Sequence, residues 1–255
     1  TPVPWVIQNI FPGYHGVAWY WRTFKAPANP HVNGRYLLKF GAVDYLAEVW
    51  VNGKAVGGHE GGETPFTLDV TDAIRPGQEN LLAVRVLNPS ENRRIDGFIL
   101  KETASGCKHD KVDTNGTYNA GGIVGAVELL MVPQLRITDL HVLPDWKTGE
   151  IRIRAALLNT AGSSDAIAQF SVASAAGGAP LATTNCSVRV ETGTKTVEAS
   201  LQVPSHQLWS PEDPALYRVT ASIQVAKSPS IDQQSVRCGF RDLRFENGYF
   251  QLNGR

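Results

Sequence analysis

The sequence has little of what makes helices, membrane spans or disulfide frameworks. No uninterrupted apolar run approaches the ~18–20 residues that cross a bilayer as a helix, so the chain reads as soluble. Its three cysteines, Cys107, Cys186 and Cys238, are far apart, cannot all pair, and form no C-x-x-C of the kind that zinc and redox centres use. They are read as ordinary residues. Excess charge is missing as well: 24 Lys plus Arg balance 24 Asp plus Glu. The balance holds locally, with 13 of each sign in 1–136 and 11 of each in 137–255. That removes the basic footprint needed to neutralise phosphates, and with it nucleic acids and other polyanions as partners. The opening T-P-V-P-W carries neither the charged nor the apolar region of a signal peptide, so a leader either never existed or has been removed, and the compartment stays open. Internal repeats and low-complexity tracts are also lacking.

What is present is period-two alternation, from end to end, which marks strands with one buried face. In Gly149–Thr160, the residues Ile151, Ile153, Ala155 and Leu157 fall on one face, with Arg152 and Arg154 on the other. The pattern returns at Val197, Ala199, Leu201 and Val203. It returns again at Tyr217, Val219, Ala221, Ile223 and Val225.

The first half predicts shorter, more aromatic strands over 19–24, 36–40, 46–51, 66–70, 81–87 and 123–131. Asn52-Gly53 sits between two apolar runs and predicts a tight hairpin, because both residues tolerate the positive φ of a type I′ turn. The glycine-rich run Gly57-Gly58-His59-Glu60-Gly61-Gly62 is read as an irregular loop joining that hairpin to the next strand. Thr71–Gly77 has room for one helical turn, capped by Thr71 or Asp72 and ended by Pro76-Gly77. Between Leu87 and Gly122 lies a long polar stretch; loops of that length in compact domains are usually functional or disordered.

After Val132-Pro133 the strands become long and regular, which places a domain boundary near 133–137. The expected fold is all-β: a jelly-roll β-sandwich over 1–135, then an immunoglobulin-like β-sandwich over 136–240 that lacks a disulfide.

Six stretches, in order, then give the chain a family likeness. They are Gly16-V-A-W-Y-W-R-T-Phe24, Val43-D-Y-L-A-E-V-W-V-N-G-K-A-V-Gly57, His59-E-G-G-E-T-P-F-T-L-D-V-T-Asp72, Gly121-G-I-V-G-A-V-E-Leu129, Leu208-W-S-P-E-D-P-A-L-Tyr217 and Cys238-G-F-R-D-L-R-F-E-N-G-Y-F-Q-L-N-G-Arg255. Together they cover nearly the whole chain, and it resembles the non-catalytic N-terminal part of glycoside hydrolase family 2, the β-galactosidases, β-glucuronidases and β-mannosidases. The resemblance implies a sugar-binding jelly roll, an immunoglobulin-like domain, and a segment over 241–255 that leads into a (β/α)₈ catalytic barrel not contained in 1–255. It also implies that Arg255 is an imposed chain end and that a first jelly-roll strand is missing before Thr1, leaving an unpaired sheet edge.

Family members hydrolyse terminal β-glycosides with retention through two glutamates, a nucleophile and an acid/base, and both belong to the barrel. No residue of 1–255 is therefore expected to be catalytic, and no cofactor or metal is implied. The partners implied are a terminal β-linked sugar, the barrel, and an oligomer interface as one further role. The alternatives are a free-standing carbohydrate-binding module and a pair of spacer domains.

Two loops are candidates for contact with the sugar. In Pro12-Gly13-Tyr14-His15, Tyr14 supplies an aromatic face and His15 an imidazole. In 110–119, where relatives present an acidic residue to sugar hydroxyls, Asp113 and Asn115 are the choices, although simple spacing puts the family's acidic position at or near Gly116. Relatives usually carry an arginine after G-I-x, where this chain has Gly125.

Other clusters read as structural. His59, Glu60 and Glu63 are expected to tie a glycine-rich loop together by hydrogen bonds. Cys107, His109 and Asp110 lack the spacing of a tetrahedral site. Asp113-Thr-Asn115-Gly116 lacks the first Asp and twelfth-position Glu of a calcium loop. Trp19 and Trp21 share one strand face and, with Trp50, are expected in core or inter-domain packing rather than in a sugar platform. Trp209 is expected to plug the second sandwich.

Overall fold

The computed structural model describes residues 2–88, 120–226 and 231–255, with the backbone at 94–95 and 98–99. The chain divides into two units, Thr1–Val132 and Pro133–Arg255. Both are built from strands; among the described residues the helical content is one 3₁₀ turn, Ile7–Asn9.

The first unit contains β1 (Gly16–Lys25), β2 (Arg35–Phe40), β3 (Val43–Asp44), β4 (Leu46–Val51), β5 (Lys54–Glu60), β6 (Phe66–Asp69), β7 (Glu79–Asn88), β8 (Arg94–Ile95), β9 (Phe98–Ile99), β10 (Gly122–Ile123) and β11 (Val127–Val132). One antiparallel sheet runs β1-β7-β4-β5 and the other β11-β2-β6, with β10 paired to β3 between them. Alternation decides which side chains meet. Ala47, Val49 and Val51 of β4 and Leu82, Val84 and Val86 of β7 point inward onto Tyr36, Leu38 and Phe40 of β2. Phe40 is fully buried and stacks on Phe66 at 4.8 Å between ring centroids. The fold is the jelly-roll sandwich expected. Strand β1 lies at the edge of its sheet, as β11 does of the other, and beside them opens an apolar cleft of about 1410 Å³ lined by Ile7, Tyr20, Phe24, Leu38 and Val84 among others.

Three local expectations are corrected here. The 57–62 run is not all loop, since β5 continues through Gly57, Gly58 and His59 to Glu60. A bulge between Val49 and Trp50 makes room, and Gly57 adopts φ 135°, which a side chain would resist, with Leu68 Cδ2 2.9 Å from where its Cβ would lie. The single strand expected over 123–131 is two. Val124 and Gly125 both donate to the Ala42 carbonyl, at 3.1 and 2.9 Å, and the chain passes from pairing with β3 to pairing with β2. A Cβ on Gly125 would collide with the backbone of Gly41 and Ala42, so the arginine usual in relatives has no place in this conformation. The turn after β6 is capped by Asp69, not by Thr71 or Asp72: its carboxylate accepts from the Thr71 hydroxyl at 2.6 Å and the Thr71 N–H at 3.1 Å. The Asn52-Gly53 hairpin forms as expected, with φ of 52° and 80°. The Asn52 side chain adds bonds to Ala73, Asn80 and Leu81 that fasten the hairpin to its neighbours.

The second unit comprises β12 (Leu135–Pro144), β13 (Glu150–Asn159), β14 (Ser164–Ser174), β15 (Ala182–Val190), β16 (Gly193–Gln202), β17 (Tyr217–Val225), β18 (Ile231–Cys238) and a closing hairpin, β19 (Leu243–Glu246) with β20 (Tyr249–Leu252). A β12-β13-β16 sheet faces a β15-β14-β17-β18 sheet, the immunoglobulin-like arrangement expected. The inward rows read from sequence are buried, Ile151, Ile153, Ala155 and Leu157 on one side and Tyr217, Val219, Ala221 and Ile223 on the other. A bulge after Ile137 on β12 frees backbone groups that β18 supplies. The Ile137 N–H donates to Asp232 at 2.7 Å, and Gln234 donates to the Ile137 carbonyl at 2.6 Å.

Phe240, rather than Trp209, plugs this sandwich. It is fully buried, edge-on to Tyr217 at 5.1 Å and tilted against His206 at 4.5 Å. The Tyr217 hydroxyl accepts from the Gln207 N–H at 2.9 Å. Trp209 is only partly buried and has the Arg241 guanidinium over its ring at 5.1 Å. Cys186 and Cys238 are free thiols, and burial pushes Cys238 up to about 11.

Two predictions follow from the packing and from one carboxylate. Phe40→Ala and Phe170→Ala, the latter at a fully buried ring of β14, should each destabilise their own sandwich by about 3–5 kcal/mol, read as a lowered denaturant midpoint. Burial works against ionisation of Asp69, but bonds from Thr71 and the guanidinium of Arg35, 2.9 Å away, outweigh it and hold the carboxyl below its usual range. The associated stability is present above the unfolded carboxyl value of about 3.9 and is lost as pH falls through the lower folded one. Asp69→Asn should flatten that acid limb in pH-dependent melts.

Candidate functional site

At the end of β7 the inward row Leu82, Val84, Val86 finishes on a polar side chain, Asn88, which is completely buried. A buried carboxamide must find partners, and those partners draw five segments of the first unit together. Asn88 Nδ2 donates to Asp44 Oδ1 at 3.2 Å, from the junction of β3 and β4. Its Oδ1 accepts from Gln8 Nε2 at 3.1 Å, on the 3₁₀ turn, and lies 2.7 Å from His15 Nδ1. Gln8 extends the network, donating to the Tyr14 carbonyl at 2.8 Å and accepting the Gly121 N–H at 2.9 Å.

The bond to Asp44 fixes the amide orientation, since only the NH₂ end can donate to a carboxylate. Oδ1 therefore faces His15, and an oxygen that only accepts requires the imidazole proton on Nδ1. The nest thus fixes the orientation of the His15 ring through its Nδ1.

Backbone geometry closes the nest. Trp5 and Ile7 donate to the carbonyls of Ile123 and Gly121 at 2.9 and 2.8 Å, laying the N-terminal segment along β10. The Asp44–Tyr45 peptide is cis. A Cβ on Gly121 would strike the Asn88 side chain, and one on Gly62 would strike Asp44, so both glycines are required by close approach. Burial raises the Tyr20 hydroxyl above its ordinary value, with a backbone bond at Ile123 acting the other way. Asn88 and Gly121, which flank the long polar stretch in the sequence, both belong to this nest.

Of the residues singled out from sequence, His15 is inside the nest. Tyr14 is beside it, 40% exposed, with its hydroxyl donating to the Val17 carbonyl at 2.5 Å and its ring edge-on to Phe11 at 6.4 Å. Asp113 and Asn115 lie outside the described residues, as do Cys107, His109 and Asp110. His59 stacks on Phe66 at 4.6 Å and bonds Thr64 Oγ1 at 2.8 Å, a role inside its own hairpin. Among the described residues no group of three or more His, Cys, Asp or Glu is placed to hold a metal.

Sequence reading passed over Gln8, Asp44 and Asn88. Asn88 did carry a signal, because it has the same parity as the inward Leu82, Val84 and Val86; Gln8 and Asp44 are polar residues whose meeting depends on the fold. Trp19 and Trp21 are not in the core of the first sandwich, one of the two places expected for them. They are 44% and 65% exposed on the outer face of the β1-β7-β4-β5 sheet. Replacing Asn88 by alanine should leave Gln8, His15 and Asp44 with one partner fewer each and cost about 1–3 kcal/mol, measured as a lowered unfolding midpoint of the first sandwich.

Residues 1–133 match the family described as glycosyl hydrolases family 2, sugar binding domain, and residues 135–241 match glycosyl hydrolases family 2. The chain is 28% identical over 252 residues to a β-galactosidase of Priestia megaterium, across 95% of this chain and 22% of that protein. It superposes on a β-glucuronidase of Bacteroides uniformis with a TM-score of 0.81 at 25% identity, over 100% of this chain and 30% of that one. For a β-galacturonidase of Eisenbergiella tayi the TM-score is 0.78 at 27% identity, over 100% and 41%. The chain spans well under half the length of each of these relatives. Two sandwiches in the same order, each matched by its own stretch of sequence, make this chain a member of glycoside hydrolase family 2.

Proposed function

We propose that these two domains are the non-catalytic N-terminal region of a retaining exo-β-glycosidase, in which the jelly-roll loops shape one wall of the active site and both sandwiches support a catalytic barrel. The observation that carries this reading is the coverage: nearly all of the chain aligns with about a fifth to two fifths of its relatives, and both units are β-sandwiches. Retaining hydrolysis needs two carboxyl groups about 5–5.5 Å apart on either side of the glycosidic bond. In this proposal both come from the barrel, and residues 241–255 lead toward it. The β19–β20 hairpin supports that role, since Phe245, Tyr249 and Phe250 stand exposed on it, an apolar surface suited to burial by a further domain.

The jelly roll contributes binding energy and no chemistry. His15, fixed through Asn88, lies against the terminal sugar together with the exposed ring of Tyr14, and Asp113 and Asn115 complete the contacts. Such contacts to non-reacting hydroxyls position the substrate for attack.

The test has two arms. The purified 255-residue chain should release no nitrophenol from p-nitrophenyl β-D-galactoside or β-D-glucuronide, and turnover that survives purification to homogeneity would overturn the assignment. In the longer polypeptide, His15→Ala should lower kcat/KM by about tenfold or more, whereas unchanged kinetics on every hydrolysed glycoside would remove the active-site wall from the proposal.

A further inference from the structure

Among the described residues, most sheet edges carry a device that discourages pairing with a further strand. The pairing of β5 is broken by a bulge, and the strand contains Gly57 and Gly58. Strand β12 is bulged after Ile137 and ends in Pro144, and β18 spends Asp232 and Gln234 on the backbone of that bulge. On β15 the Lys195 ammonium occupies the Arg189 carbonyl at 2.7 Å, β16 carries Lys195 and Glu198, and β6 and β11 are short, at four and six residues. Strand β1 differs. It runs ten residues in unbroken register with β7, has neither bulge nor proline, and carries no charge from Gly16 to Trp21.

The direction of its backbone groups follows from the sheet. Leu87 and Leu81 of β7 turn their carbonyls to the β4 side, accepting from the Tyr45 N–H at 3.1 Å and the Asn52 N–H at 2.8 Å. Both backbone groups of a residue point the same way in an antiparallel ladder, and the direction alternates along it. Opposite them, Val17, Trp19, Trp21 and Thr23 of β1 therefore direct N–H and C=O away from the sheet. The Tyr14 hydroxyl takes the Val17 carbonyl, whereas the backbones of Trp19, Trp21 and Thr23 meet no strand on that side among the described residues. The apolar cleft of about 1410 Å³ opens beside this same edge.

We propose that this edge pairs with the β1 edge of a second copy of the chain, antiparallel about a two-fold axis at Trp21. Antiparallel pairing is symmetric under such an axis, so the edge is complementary to itself. Centring on Trp21 sets Trp21 against Trp21 and Trp19 against Thr23, which engages every open group in about six hydrogen bonds. It also sets Arg22 of each copy opposite the Tyr20 of the other. A shift of two residues one way would place Arg22 against Arg22, a like-charge pair. The opposite shift would draw on the Val17 carbonyl that Tyr14 already holds. The two four-stranded sheets become one continuous sheet, and the apolar clefts beside the two β1 strands adjoin. This pairing stands apart from the glycosidase reading, which concerns hydrolysis by a longer polypeptide.

The test is sedimentation velocity of the purified 255-residue chain at concentrations up to about 100 μM. A monomer–dimer equilibrium is expected, with amide exchange at Trp19, Trp21 and Thr23 slowing as dimer forms. Thr23→Pro removes an N–H that β7 does not use, so the melt followed by circular dichroism should persist while the dimer dissociation constant rises about tenfold or more. Trp21→Lys, which sets two ammonium groups against each other at the axis, should do the same, and it decides the matter if Thr23→Pro fails to fold. Phe245→Ala, at an exposed aromatic of the second unit, should leave the equilibrium unchanged. A chain that stays monomeric throughout, or dimers undiminished in the folded variants, would overturn the proposal. So would dimers lost with Phe245→Ala, or exchange at the three amides that does not depend on concentration.

Discussion

The first sandwich depends on one inward row of β7, in which three apolar side chains are followed by a buried carboxamide. Leu82, Val84 and Val86 gain stability simply by leaving water, and many arrangements would satisfy them. Asn88 is more demanding, because its donor and acceptor must both be met inside the protein. The solution recruits Gln8, His15 and Asp44 from three other segments and seats Gly121 against the amide. Apolar burial holds the sheets together, and this polar nest fixes where the loops at one end of them start and stop.

That division suits an accessory domain. Loops that present groups to a sugar must be held by something stiffer than themselves. Here the N-terminal segment, the β3–β4 junction, Asn88 and Gly121 converge on a network with few alternative pairings. The second unit meets a similar demand differently. Its β12 bulge exposes backbone at Ile137, and Asp232 and Gln234 from the opposite sheet satisfy it, so that irregularity ties the two layers together. Its end is closed by Phe240 between Tyr217 and His206.

Strands and their inward faces could be read directly from sequence, as with Ile151 to Leu157 and Tyr217 to Ile223, because alternation is a local property of two-residue period. The Asn52-Gly53 turn was readable for the same reason, since positive φ is a preference of the residues themselves. The glycines of 57–62 misled because composition shows only that glycine permits a loop; strand β5 exists through its pairing with β4. Trp19 and Trp21 were correctly placed on one face, but not whether that face is covered. Phe240 and Trp209, near neighbours in the fold, exchanged their expected roles, because bulk alone does not say which aromatic enters the core.

The sequence by itself determined an all-β chain of two sandwiches, and its ordered stretches pointed to the family. Strand period, turn chemistry and conserved order of segments are all written along the chain. The tertiary structure decided which polar residues meet. Gln8, His15, Asp44 and Asn88 are separated by up to 80 positions, and only the closure of the two sheets brings them within hydrogen-bonding distance. It also decided that three indoles stand together on an outer face, since Trp50 joins Trp19 and Trp21 only through the register of β4 and β1 on β7. Contacts set by pairing between distant strands have no local signature, and it is on such contacts that both the polar nest and the cluster of three indoles rest.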